Sequence, residues 1–229
     1  MADSISTIRR DVIACARCPA LRRYCQRIAR IKRRAYRDQT YWGRPVPGFG
    51  DPAAKLLIIG LAPAAHGGNR TGRVFTGDRS GDFLFAALHR AGLANQPTST
   101  GRDDGLQLKG AYITAALHCA PPGNKPKPAE LDRCRGYLIR ELQTMKRVRA
   151  VLALGTIAFD EYLKTLRRMG RLPARPRLIF EHGGSYILPG PRPLLFAAYH
   201  PSQQNTQTGR LTAAMFDCVL ADIARIIRL

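Results

Sequence analysis

The sequence predicts an α/β fold in which a parallel sheet is covered by helices on both faces. Two observations carry that expectation: short apolar runs end at glycine, proline or polar turns, and helix-length segments with apolar positions three and four apart lie between them. A third is the room available, since 229 residues with 45% hydrophobic and 23% charged side chains suffice for one well-buried core.

Ile8, Val12, Leu21, Ile28 and Ile31 fall at helical spacing and predict two helices joined by a turn that spans Cys15 and Cys18. Arg and Lys crowd the stretch from Arg22 to Arg37, beyond what a solvated face needs, which points to phosphate contact. Lys55-Leu-Leu-Ile-Ile-Gly-Leu61 is continuously apolar and stops at a Gly/Pro turn, the pattern of a strand buried on both faces. Ala111–Ala115, Ala150–Leu154 and Leu194–Tyr199 read the same way, and helices are predicted at Asp82–Ala91, Ala129–Arg147, Thr156–Arg168 and Arg210–Arg228. No repeat, linker or second domain interrupts the chain, so residues 1–229 read as a single domain whose first forty residues form a basic helical segment.

Thirty-seven Lys and Arg against sixteen Asp and Glu leave a formal charge of +21, which favours a polyanionic partner over a generally basic or membrane-surface character. No apolar run approaches the roughly 20 residues that span a bilayer. The opening Met1–Arg10 lacks the apolar stretch of a secretory signal, so a soluble, cytoplasmic protein that contacts no membrane is expected.

In a reducing compartment the six cysteines favour metal or cluster ligation over disulfides. Cys15 and Cys18 form a C-x2-C pair, and Cys119 and Cys134 lie about a hundred residues later. Spacing alone leaves tetrahedral zinc, an iron–sulfur cluster and unrelated buried thiols all open. Cys218 reads as a core cysteine and Cys25 as uncommitted.

In open α/β sheets ligands sit beyond the carboxyl ends of the strands. Three segments following predicted strands carry the chemistry: Gly60–Asp78, Ala116–Lys125 and His200–Arg210. The first is glycine-rich and holds His66, Asn69, Arg70, Arg73, Phe75 and Asp78, but contains neither a Walker loop nor a dinucleotide fingerprint. Read structurally, Phe75 is a core anchor and Asp78 a helix N-cap; their closeness in one loop favours function. His200 stands at the rim, and the polar residues after it, Ser202 to Thr206, suit a sugar–phosphate backbone.

Together, Gly60-Leu-Ala-Pro-Ala64, Phe75-Thr-Gly-Asp78, Cys119-Ala-Pro-Pro-Gly-Asn124 and His200-Pro-Ser202 closely resemble the uracil-DNA glycosylase superfamily, and within it the family 5 branch. The likeness runs from about Cys15 to the C-terminus. It implies a three-layer α/β/α sandwich around a mainly parallel four-stranded sheet, and a [4Fe–4S] cluster on Cys15, Cys18, Cys119 and Cys134 that braces loops. The implied activity is a monofunctional glycosylase of base excision repair that flips out uracil, hypoxanthine or other damaged bases and leaves an abasic site in DNA. No lysine stands within the motifs to cleave the strand.

Given that resemblance, the reading of the loops assigns catalysis to Asp78, the nearby candidate to activate water, and to His200 as donor to the base O2, with Asn124 assisting. It assigns base binding to Phe75, to the main chain of Leu61, Ala62 and Ala64, and to Ala115. DNA contacts fall to Arg70, Arg73, Ser202, Gln203, Asn205 and Arg210, and a monomer is expected. Two departures from better-known branches stand out. Gly60-Leu-Ala-Pro-Ala64 offers no polar residue to activate water, and Ala115 replaces an asparagine that reads uracil, which should relax selection. The rival readings are a noncatalytic nucleic-acid-binding protein with a structural cluster or zinc, and a hydrolase of free nucleotides.

Overall fold

A computed structural model describes residues 3–175, 178–190 and 193–227. Six strands form one sheet in the order β1-β3-β2-β4-β6-β5. The inner four, β2 (Leu56–Gly60), β3 (Ala111–Ala115), β4 (Ala150–Leu154) and β6 (Leu194–Ala198), run parallel and match the expected ones closely. The sheet is nevertheless wider than the four strands anticipated. β1 (Phe49–Gly50) and β5 (Ser185–Tyr186) add antiparallel edges of two residues each, too short to show any periodicity.

All five residues of β2, β3 and β4 are buried, which is why these strands read as continuous apolar runs instead of alternating ones. Successive side chains feed opposite layers. Leu56, Ile58 and Leu152 pack with Leu84, Phe85 and Leu88 of α4 (Arg79–Arg90) and Phe216 and Ile223 of α8 (Ala213–Ile227). Leu57, Ile59 and Val151 pack with Ile8 and Val12 of α1 (Ile5–Ala14), Leu138 of α5 (Pro128–Thr144) and Phe159 of α6 (Thr156–Arg168). The result is the three-layer arrangement expected from the sequence. The final helix begins three residues later than predicted, and its predicted end, Arg228, lies outside the described residues.

The basic α2 (Pro19–Ile31) buries only Leu21 and Cys25 and turns its arginines outward. Two short helices that the sequence did not announce, α3 (Gly68–Thr71) and α7 (Gln203–Gln207), fold inside the loops after β2 and β6.

The polar stretch from Asn95 to Asp104 is bonded into the structure through Asp104. Its carboxylate accepts the N–H groups of Thr100 (2.8 Å), Gly101 (3.2 Å) and Leu106 (3.0 Å) and pairs with Arg73 at 2.8 Å. Burial opposes the charge of Asp104, yet these donors bring its carboxyl down to about 2. The side chains of the pair are only 4% and 9% exposed. Asp104→Asn is therefore expected to cost roughly 3–5 kcal/mol, because it leaves a buried guanidinium uncompensated. Denaturant midpoints measure this. Because the folded-state pKa is depressed, the wild-type contribution is present above the ordinary value of 3.8 and fades as pH falls towards 2.

Candidate active site

The carboxyl ends of β2, β3 and β6 open along one edge, and the loops that follow them meet there. Phe75 and His200, 125 positions apart in sequence, stack with ring centroids 5.6 Å apart and an interplanar angle of 29°. Phe75 adopts a left-handed φ of 50°, a strained choice for an aromatic residue, held by glycines that leave no room for a side chain. A Cβ on Gly60 would sit 2.6 Å from the Phe75 ring, and one on Gly81 only 1.8 Å from the Phe75 carbonyl oxygen.

His200 follows the last parallel strand. Its carbonyl accepts bonds from the Ser202 N–H (2.7 Å) and the Asn205 amide (2.8 Å), which fixes the start of the loop. Burial pushes its imidazole down to about 4, so it is neutral at pH 7 with one N–H to donate. Neither ring nitrogen has a hydrogen-bond partner among the described residues.

Asp78 is the N-cap of α4 and accepts the Gly81 N–H at 3.1 Å. Its second oxygen lies so close to the chain that a Cβ on Gly67 would be 2.1 Å away. Burial raises its pKa, opposed by the Gly81 and Ser80 amides and by Arg70 and reinforced by Asp82. The cap and the candidate base are thus one carboxylate.

The other predicted site residues divide sharply. Leu61, Ala62 and Ala64 line the rim half-buried, and the N–H groups of Ala62 and Ala64 have no acceptor among the described residues. Ala115 is buried at the end of β3, in register with Gly60. Asn124 lies exposed on the 3-10 turn Pro122–Asn124 with a left-handed φ of 56°.

Arg70 and Arg73, expected to touch DNA, point inward instead. Arg70 donates to the His66 and Gly77 carbonyls (both 2.7 Å) and to Gln39, and stacks on Tyr36. Arg73 is held by Asp104, Ser99 and the Arg102 carbonyl. A glycine-rich loop leaves carbonyls unpaired, and Arg70 satisfies two of them, while Arg73 ties the loop to the segment from Ser99 to Asp104. Ser202 caps α7 by accepting the Asn205 N–H, so Ser202 and Asn205 are both engaged locally, whereas Gln203 is exposed. Arg210 is exposed and lies over the Tyr199 ring, which also stacks on His182. The sequence reading missed Tyr41, whose hydroxyl bonds His66 Nδ1 at 3.0 Å and ties the basic segment to the rim loop; no local signal marked it.

Cys15 ends α1, Cys18 begins α2, Cys119 follows β3 and Cys134 sits on α5, and all four line one cavity with Arg17, Arg22 and His118. The His118 N–H donates to the Cys134 sulfur at 3.4 Å. No group of three or more His, Cys, Asp or Glu among the described residues is placed to hold a single metal ion. Four soft donors around one cavity, with three arginines at its wall to balance thiolate charge, fit a polyatomic cluster better than one ion. Cys25 is buried nearby and bonds the Ala120 carbonyl, while Cys218, read as a core thiol, is exposed.

Residues 47–224 match the model of the uracil DNA glycosylase superfamily. The chain is 52% identical to a type-5 uracil-DNA glycosylase of Thermus thermophilus over 93% of its own length and 94% of that protein's. It is 48% identical to a type-5 uracil-DNA glycosylase of Mycobacterium leprae, covering 98% of this chain and 96% of the relative. A type-4 uracil-DNA glycosylase of Archaeoglobus fulgidus is more distant, 28% identical over 73% of this chain and 71% of the relative. The matched span takes in the stacked Phe75–His200 pair, Asp78 and the rim around them, and the chain belongs to the uracil-DNA glycosylase superfamily.

Proposed function

We propose that this chain excises uracil from DNA by hydrolysing the N-glycosidic bond and leaves an abasic site. The observation that carries this reading is the meeting of Phe75 and Asp78, from the loop after β2, with His200, from the loop after β6, at one rim. C1′ is inaccessible in a duplex, so the nucleotide is flipped out at a cost of a few kcal/mol, smallest for mispaired or deaminated bases. Phe75 offers a ring for the extruded base to stack on, and the unpaired N–H groups of Ala62 and Ala64 offer donors to its edge.

Bond cleavage leaves a sugar with oxocarbenium character and an anionic base. His200, neutral and placed against Phe75, donates its N–H to O2 as negative charge develops there. Asp78 orients and deprotonates the attacking water and offsets the cationic sugar, with Asn124 free on its turn to assist. With alanine at position 115 the pocket lacks one amide reader, which supports acceptance of hypoxanthine and related lesions. The basic segment from Arg22 to Arg37, with Gln203 and Arg210, supplies contacts to DNA.

Cys15, Cys18, Cys119 and Cys134 would hold a [4Fe–4S] cluster whose contribution is structural. Bound there, it would tie together the α1–α2 turn, the loop after β3 and α5, which carry those four cysteines.

Asp78 must be ionised to act, and burial raises its pKa, while His200 stays neutral down to about 4. The single-turnover rate is therefore expected to fall on the acid side of neutrality with a slope of one proton and to hold level on the alkaline side. A rate that declined with rising pH from neutrality would contradict these roles. The activity itself is tested with end-labelled duplexes carrying U·G, U·A or hypoxanthine·T, each split into samples with and without hot alkali. Strand breaks only after alkali establish a monofunctional glycosylase, and no breaks in any sample overturn it.

A further inference from the structure

A groove lies between α2 and the segment that follows Tyr41, lined by Arg22, Gln26, Arg30, Trp42 and Arg44. No acidic residue lines it. None of its arginines forms an ion pair among the described residues. Arg44 and Arg102 both lie over the Trp42 ring, at 5.7 and 4.3 Å, which gathers further positive charge at the groove's edge. Arg22, Gln26 and Arg30 follow one another at i, i+4 and i+8, so they form a strip along one face of α2 about 12 Å long. Guanidiniums aligned over that distance, without counter-ions, suit a run of phosphates spaced by several Å along a strand.

The groove is also coupled to the rim. The Trp42 N–H donates to the Arg70 carbonyl (2.8 Å) and the Gly43 N–H to the Asn69 carbonyl (3.0 Å), so its floor is bonded to α3 in the loop that carries Phe75 and Asp78. We propose that this groove binds the phosphodiester backbone of the substrate DNA outside the flipped nucleotide, as a second anchoring site. The proposal rests on the reading of the chain as a DNA glycosylase, but it assigns to that DNA a path along α2.

Trp42 is the chain's single tryptophan, so its fluorescence reports on this groove directly. The test titrates the protein with an undamaged duplex of about 30 base pairs, at several salt concentrations, and compares the Arg30→Ala/Arg44→Ala variant. Both arginines are exposed, and neither supports the core. The expected result is a duplex-dependent change in Trp42 emission, weaker binding in the variant, and a salt slope reduced by about 0.9 for each phosphate that the variant no longer neutralises. Unchanged emission on saturation with duplex, or an unchanged slope in the variant, overturns the proposal. So does a larger emission response to anionic phospholipid vesicles than to the duplex. Uracil excision by the same wild-type preparation is measured alongside, on a duplex of the same length that carries one U·G pair. Excision without a groove signal defeats the groove alone, whereas a groove signal without excision defeats the glycosylase reading and leaves the DNA anchor standing.

Discussion

Asp78→Asn should lower the single-turnover rate of uracil release by about 10²- to 10⁴-fold, the usual contribution of a positioned acid–base group. The amide keeps an oxygen that can accept the Gly81 N–H, so the start of α4 survives and the loss is chemical. Duplex affinity should change little, and the acid limb of the pH–rate profile should vanish along with the carboxylate. Asp78→Ala makes the comparison sharper, because it also removes the cap and costs about 1 kcal/mol of stability. A variant that lowered stability while leaving the rate within a few-fold of wild type would make Asp78 a cap and nothing more.

Cys134→Ser should give protein with little iron and acid-labile sulfide, no broad visible absorbance and a markedly lower melting temperature. Cys134 is the one member of the set on a long helix, and the cavity it lines lies between α5, the turn between α1 and α2 and the loop after β3. Metal-binding free energy of such sites is folding free energy, so losing one ligand is felt across all three segments. Cys218→Ser is the control, since that thiol is exposed and remote from the cavity, and it should retain full iron content and stability. Full iron content in Cys134→Ser would exclude the four-cysteine assignment and direct attention to buried Cys25.

The parallel strands were legible as unbroken apolar runs, and the major helices because their apolar positions recur three and four apart. β1 and β5 were not, because two-residue edges are held by main-chain pairing that leaves no trace in side-chain pattern. His200 stood out as a polar residue just past a strand and Asp78 as the carboxylate closing a glycine-rich loop, and their neighbours Phe75 and Gly60 completed the picture only once that loop was folded. Arg70 and Arg73 show where sequence reading ran out. An arginine that neutralises phosphate and one that bonds groups within its own fold are the same letter, and only burial separates them. The basic stretch of α2 presented the opposite case, since its arginines do face outward as their density suggested.

The glycines beneath and beside Phe75 also decide how the specificity of this protein can be redesigned. With no space for even a methyl group at positions 60, 67 and 81, the stacking ring and the carboxylate rest on bare main chain, and that side of the pocket tolerates no reshaping. On the proposed reading of the pocket, Ala115, small, buried and at the end of β3, is the adjustable wall. Variation in which damaged bases are accepted should therefore concentrate at that position and its neighbours, and libraries built there will change substrate preference without rebuilding the machinery opposite.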